Sequence, residues 1–173
     1  MSTTTMKKIC SIFIGSVIDP CVGQWVDLPM DPDELDALCD DIRGYAHCEE
    51  LFIPDYEGVL TVGEYDNIFQ LNERCEDLTD FSDDQLTALQ ELSEWVSQDE
   101  AIEIVENGQY RFYPDCWTMA EVAEIYADEI GDLDRIPEDL RCYFDFESYG
   151  RTLEINGRFA RMTSEIGYIE YWL

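Results

Sequence analysis

Carboxylates and thiols are the side chains numerous enough here to do chemistry, and each type narrows the choice of function. The chain has 40 aspartates and glutamates against 10 lysines and arginines, with seven cysteines and one histidine, His47. A single histidine excludes a histidine-based triad or a multi-histidine metal site within one chain. His47 and Cys48 could join Cys39 at a metal, but the spacing is wrong for a zinc finger, and His47 reads as a loop residue. No glycine-rich phosphate loop occurs and no lysine follows Lys8, so nothing is placed to hold a transferable phosphate. Paired carboxylates serve glycosidases and nucleases, yet here they are so abundant that proximity singles out no pair. Asp128, Asp132 and Asp134 lack the glycine and the closing glutamate of a calcium loop, which leaves only weak, non-specific divalent binding. These patterns predict no catalytic residue, no cofactor and no dedicated metal site, and hence a protein that is not an enzyme.

The cysteines are odd in number, irregularly spaced and without a CxxC pair, as expected of free thiols in a reducing compartment. Cys39 falls with Leu35, Leu38 and Ile42, and Cys75 with Ile68 and Leu71, so both are expected in the core. What remains is charge: formally −30 on 173 residues. It is not a tail, because residues 1–60 hold 12 acids and 3 bases, 61–120 hold 15 and 2, and 121–173 hold 13 and 5. A chain this acidic is often disordered, but 46% hydrophobic content with abundant aromatics supplies enough apolar surface to fold. Self-repulsion favours a body that spreads its charge. No apolar run is long enough to span a bilayer, and Met1 to Lys8 lacks a small-residue cleavage site; the expectation is a soluble, cytoplasmic protein with no membrane contact.

The elements that must carry these carboxylates follow from hydrophobic periodicity. Ile9–Ser16 and Gly23–Leu28 read as a hairpin turning near Asp19-Pro20. Asp31-Pro32-Asp33-Glu34 is a helix start whose Leu35, Leu38, Cys39 and Ile42 face inward, with Asp33, Glu34, Asp36, Asp40 and Asp41 outward. Leu51–Ile53 reads as a third strand and Pro54–Gly58 as a turn. Tyr65–Leu78 reads as a helix with Ile68, Leu71, Cys75 and Leu78 inside and Asp66, Glu73, Glu76 and Asp77 outside. Ser82 and Gln85 form a capping box. The helix they open has a stripe of Leu86, Leu89, Leu92 and Val96, widened by Ala88 and Trp95, with Asp83, Asp84, Glu91 and Glu94 facing water. Asp99–Asn107 is a helix with Ile102, Ile104 and Val105 set against Glu100, Glu103 and Glu106, stopped by Gly108. Gln109–Tyr113 is a strand. Thr118 and Glu121 box a helix through Ile130, with Val122, Tyr126 and Ile130 inside and Glu121, Glu124 and Asp128 outside. Ile136–Leu140 starts a helix running into Tyr143–Phe146, and a final hairpin joins 157–163 to 167–173. The fold class is α+β: an N-terminal part (1–60), a central acidic helical part (61–107) and a C-terminal part (108–173).

Duplex DNA carries about one charge per ~1.7 Å, so thirty carboxylates match roughly 50 Å of duplex, and a homodimer about twice that. A groove lined with lysine and arginine would take up such a surface as it takes up DNA. From composition alone, a merely solvated acidic surface, as in halophilic proteins, is an open alternative. Another is an acidic decoy or chaperone for a basic nucleoid protein.

Leu89-Gln90-Glu91-Leu92-Ser93-Glu94-Trp95-Val96, Ile136-Pro137-Glu138-Asp139-Leu140 and the run from Tyr143-Phe144-Asp145-Phe146 through Tyr149-Gly150-Arg151 to Leu153 resemble the ArdA family of antirestriction proteins of plasmids, phages and conjugative elements. Gly23-Gln24-Trp25, Leu28-Pro29, Asp55-Tyr56-Glu57, Tyr65 and Leu71-Asn72 match upstream, so the likeness covers nearly the whole chain; the loop Asp19-Pro20-Cys21-Val22 departs from it in being shorter and less Asn/Gly-rich. The resemblance implies a curved, elongated, three-part DNA mimic that occupies the DNA-binding groove of type I restriction–modification enzymes. It implies a homodimer held through the C-terminal part, with no catalytic residues and no direct binding of nucleic acid. Tyr143, Phe144 and Phe146, with the last hairpin, are the candidates for core or dimer contacts. The outward acids of the helices, all but Glu34 and Glu100, are the expected mimic surface, assigned from helix geometry alone.

Overall fold

The computed structural model describes residues 7–19, 21–157 and 159–172; Pro20 at the tip of the expected first hairpin and the N-terminal segment 1–6 lie outside them. Strand β1 (Cys10–Ser16) is central in the first sheet, with β2 (Gly23–Leu28) and β3 (Leu51–Gly58) antiparallel on its two sides. Paired along both edges, it buries Cys10, Ile12 and Ile14 completely. Helix α1 (Pro32–Ala46) starts as its sequence dictates, the Asp31 carboxylate accepting from the N–H groups of Asp33 at 2.9 Å and Glu34 at 3.3 Å. Leu35, Cys39 and Ile42 are its buried face, and His47 caps it in the left-handed region at φ 51°.

Pro54–Gly58 is a correction: it is not a turn but the continuation of β3. The β1–β3 register shifts between Phe13 and Gly15, so Ile53 and Pro54 together oppose one residue, and this bulge on an edge strand accommodates a residue without an N–H. Helix α2 (Ile68–Asp77) starts later than the pattern from Tyr65 suggests, because Asn67 caps it by accepting from Phe69 and Gln70. Asn72 on its inner face exchanges two 2.9 Å hydrogen bonds with the backbone N–H and carbonyl of Met30. Helix α3 (Asp83–Leu92) opens with the expected capping box, Ser82 N–H to Gln85 Oε1 at 2.9 Å and Gln85 N–H to Ser82 Oγ at 3.2 Å. Trp95 does not widen its buried stripe: the helix ends at Leu92 and the indole is 56% exposed. Helix α4 (Gln98–Glu106) is capped by Ser97 and followed by Gly108 at φ 64°.

The chain divides into two compact units, Met1–Thr87 and Ala88–Leu173. In the second, β6 (Gly167–Tyr171) lies between β4 (Tyr110–Pro114) and β5 (Phe159–Arg161), all antiparallel. Helix α5 (Met119–Glu129) has the Thr118/Glu121 capping box and buries Met119, Val122, Ala123 and Ala127. Ile130 follows the helix and is exposed, contrary to the expectation, and Tyr126 is half-buried. The helix expected from Ile136 is a 3-10 stretch over Glu138–Tyr143, and the α-helix comes after it: α6 (Phe146–Asn156), capped by Asp145. Gly150 and β-branched Thr152 and Ile155 weaken its helical signature, although Phe146, Tyr149 and Leu153 have the right spacing. Gly150 is there for packing, because a Cβ would lie 2.4 Å from the Met119 carbonyl oxygen at the start of α5. Two three-stranded antiparallel sheets with helices make the fold α+β, as the sequence predicts.

Candidate anionic surface

On α1, residues at ~100° steps place Asp33, Asp36 and Asp40 within about 60° of one another and opposite Leu35, Cys39 and Ile42. Asp33, Glu34, Asp36, Asp40 and Asp41 are all exposed. At ~1.5 Å rise per residue these acids give roughly one charge per 3 Å of axis, close to the ~3.4 Å of one DNA strand. On α2, Glu73, Glu76 and Asp77 are exposed opposite buried Leu71 and Cys75, and Asp66 is exposed in the preceding loop. Asp83 and Asp84 at the start of α3, Glu94 beyond it, Glu103 and Glu106 on α4, and Glu121, Glu124 and Asp128 on α5 are exposed as well. Glu34 is exposed as its helical position predicts, and Glu147 and Glu154 on α6 are further exposed acids that became visible only with the helix that carries them.

Glu91 is the correction to this surface. It does not face water but is fully buried on α3, against the loop between β5 and β6. Its carboxylate accepts from the Thr163 N–H at 2.6 Å, the Thr163 hydroxyl at 3.2 Å and the Ser164 N–H at 2.8 Å. Burial alone would raise its pKa, but the hydrogen bonds from Ser164 and Thr163 outweigh it and hold the carboxyl below the usual carboxylate range. Glu91 is an internal anchor for the hairpin, and its partners lie 72 and 73 residues away in sequence.

Too few bases are present to neutralise the rest. Lys7 pairs with Asp83 at 2.7 Å, Arg43 with Asp40 at 2.9 Å, Lys8 with Asp27 at 3.0 Å, and Arg141 with Asp134 at 3.1 Å, while Arg111 pairs with Glu129. The Lys7 ammonium holds the Asp83 carboxyl below its ordinary pKa, but exposed pairs of this kind contribute little to stability. Two carboxylates of the set are engaged by backbone: Asp66 accepts from Gly63 N–H, and Glu121 from Trp117 and Thr118 N–H. Among the described residues no three His, Cys, Asp or Glu side chains converge to hold a metal ion. None of the described helices is long and apolar enough to cross a membrane.

Tyr143 is 81% exposed, whereas Phe144 and Phe146 are half-buried, 4.8 Å apart ring to ring, with Phe144 edge-on to Tyr149 at 5.5 Å. A core cluster of this unit is built elsewhere, from Tyr113, Cys116, Met119, Val122 and Tyr168.

Residues 20–170 match the family model for the antirestriction protein ArdA. No curated protein matches the chain. Because the family model covers most of the sequence, the chain belongs to the ArdA family of antirestriction proteins, which are inhibitors rather than enzymes.

Proposed function

We propose that the protein inhibits type I restriction–modification enzymes by presenting its carboxylates in place of DNA phosphates in the groove of the methyltransferase core. An antirestriction function follows from the family. The mechanism rests on one observation: every assigned acid except Glu91 is exposed, and those on the helices are fixed on faces opposite buried apolar residues. Rigid charge at roughly the density of one DNA strand suits a groove that gains affinity by releasing counterions. In this reading the active form is a homodimer, acting in the cytoplasm without a cofactor and without binding nucleic acid itself. The exposure of Tyr143 beside Phe144 and Phe146 supports a contact in that region.

The test is competition between the protein and a target duplex for a purified type I methyltransferase core at two salt concentrations, followed by cleavage and methylation assays. The expected result is displacement of DNA with an apparent affinity that falls at least tenfold between 50 and 200 mM salt, as for a ligand making several phosphate-like contacts. A folded protein that displaces no DNA would overturn the reading and make basic nucleoid proteins the next partners to try.

A further inference from the structure

One pair of thiols lies apart from the charged surface. Cys10 opens β1 and pairs with Leu28 on one side and Gly58 on the other. Cys75 sits in the last turn of α2. Both are completely buried, and their sulfurs lie 3.3 Å apart as free thiols, 65 residues apart in the chain. This contact joins the centre of the first sheet to the helix that carries Glu73, Glu76 and Asp77.

We propose that Cys10 and Cys75 are an oxidative modification site, at which a hydroperoxide converts the facing thiols into an intramolecular disulfide tying β1 to α2. The chemistry has an order. The hydrogen bond from Cys75 lowers the Cys10 pKa against the effect of burial, with help from Lys8, while the same bond and burial raise that of Cys75. The Cys10 thiolate attacks one peroxide oxygen, the O–O bond breaks and hydroxide leaves, giving a sulfenic acid on Cys10. The Cys75 sulfur then attacks the Cys10 sulfur; the S–O bond breaks, and the oxygen departs as water with the Cys75 proton. Two thiols and one hydroperoxide become one disulfide and two waters, or water and an alcohol for an organic peroxide. Burial makes the reaction slower than oxidation of exposed Cys21 and Cys142, and shields the finished bridge from reductants. No exposed carboxylate takes part, so the charge presented to a partner is unchanged. The closed loop spans most of the first unit and raises Tm by about 10 °C.

The experiment treats the folded protein with hydrogen peroxide, alkylates residual thiols under denaturing conditions, and maps the digest by mass spectrometry beside a melting curve. The expected result is a Cys10–Cys75 linked peptide and a rise in Tm, both absent after reduction by dithiothreitol in denaturant and refolding, and both retained in a Cys21→Ser/Cys142→Ser variant. Cys75→Ala should abolish them, and if that variant fails to fold, the wild-type peptide map decides alone. Recovery of Cys10 and Cys75 fully alkylated after Cys21 and Cys142 have been oxidised, or a bridge from Cys75 to another cysteine, would overturn the proposal.

Discussion

Replacing Glu91 with glutamine removes one of 40 acids and preserves the side-chain shape, so it separates a carboxylate that builds the protein from those that face a partner. In the native protein the buried carboxylate accepts from two backbone N–H groups and one hydroxyl. The amide keeps one accepting oxygen and turns an NH2 group toward donors, so at least one backbone N–H loses its partner in a buried site. Hydrogen bonds to a charged group contribute about 1.5–3 kcal/mol each, and an unsatisfied buried donor costs about 1–3 kcal/mol. Glu91→Gln should therefore destabilise by about 2–4 kcal/mol, which for a chain of this size lowers Tm by roughly 5–15 °C. Glu94→Gln, exposed and three residues on, should shift Tm by no more than a degree or two. Thermal unfolding followed by circular dichroism measures both. The difference between wild type and Glu91→Gln also depends on pH. The Glu91 pKa is lower in the folded than in the unfolded chain, so its stabilisation is present above the unfolded value of about 4.3 and is lost as pH falls through the folded value. The gap should be full at pH 7 and shrink in acid as the pH falls from the unfolded value through the lower folded one. Equal, small shifts for the two variants would refute the anchoring role, as would a gap that persists unchanged in acid.

Single neutralisations on α1, such as Asp36→Asn, should weaken competition with DNA by less than about fivefold, since an exposed ion pair contributes about 0–1 kcal/mol. Replacing Asp33, Asp36, Asp40 and Asp41 together should lose tenfold or more, and a single substitution that abolishes binding in a folded protein would contradict distributed mimicry. Gly150→Ala should destabilise by about 1–3 kcal/mol, because the added methyl meets the Met119 backbone and forces α5 and α6 apart; an unchanged urea midpoint would count against that close approach. Asn72→Ala should cost about 2–4 kcal/mol by leaving both polar groups of the Met30 backbone without their Asn72 partner, again read from the urea midpoint.

Local chemistry was sufficient for much of this molecule. Asp31 with Pro32, Ser82 with Gln85 and Thr118 with Glu121 announce three helix starts, and the structure forms the matching hydrogen bonds, because a cap is satisfied within four residues of itself. The division of α1 and α2 into an apolar and an acidic face is likewise a matter of helical period, and it places Asp33, Asp36, Asp40, Asp41, Glu73, Glu76 and Asp77. The family resemblance was carried by short contiguous motifs and needed no tertiary information. Pairing and packing across long separations decided the remainder. Pro54–Gly58 has the composition of a turn, yet alignment with β1 makes it strand, with the proline taken up in a bulge. Phe146–Asn156 is a helix although it contains Gly150, because the glycine lets its backbone close onto α5. Glu91 has the spacing of a surface acid, and only the loop that follows β5, more than seventy residues later, turns it into a buried anchor. Helical period can say which way a side chain points from its own axis, but not what the rest of the chain will lay over it.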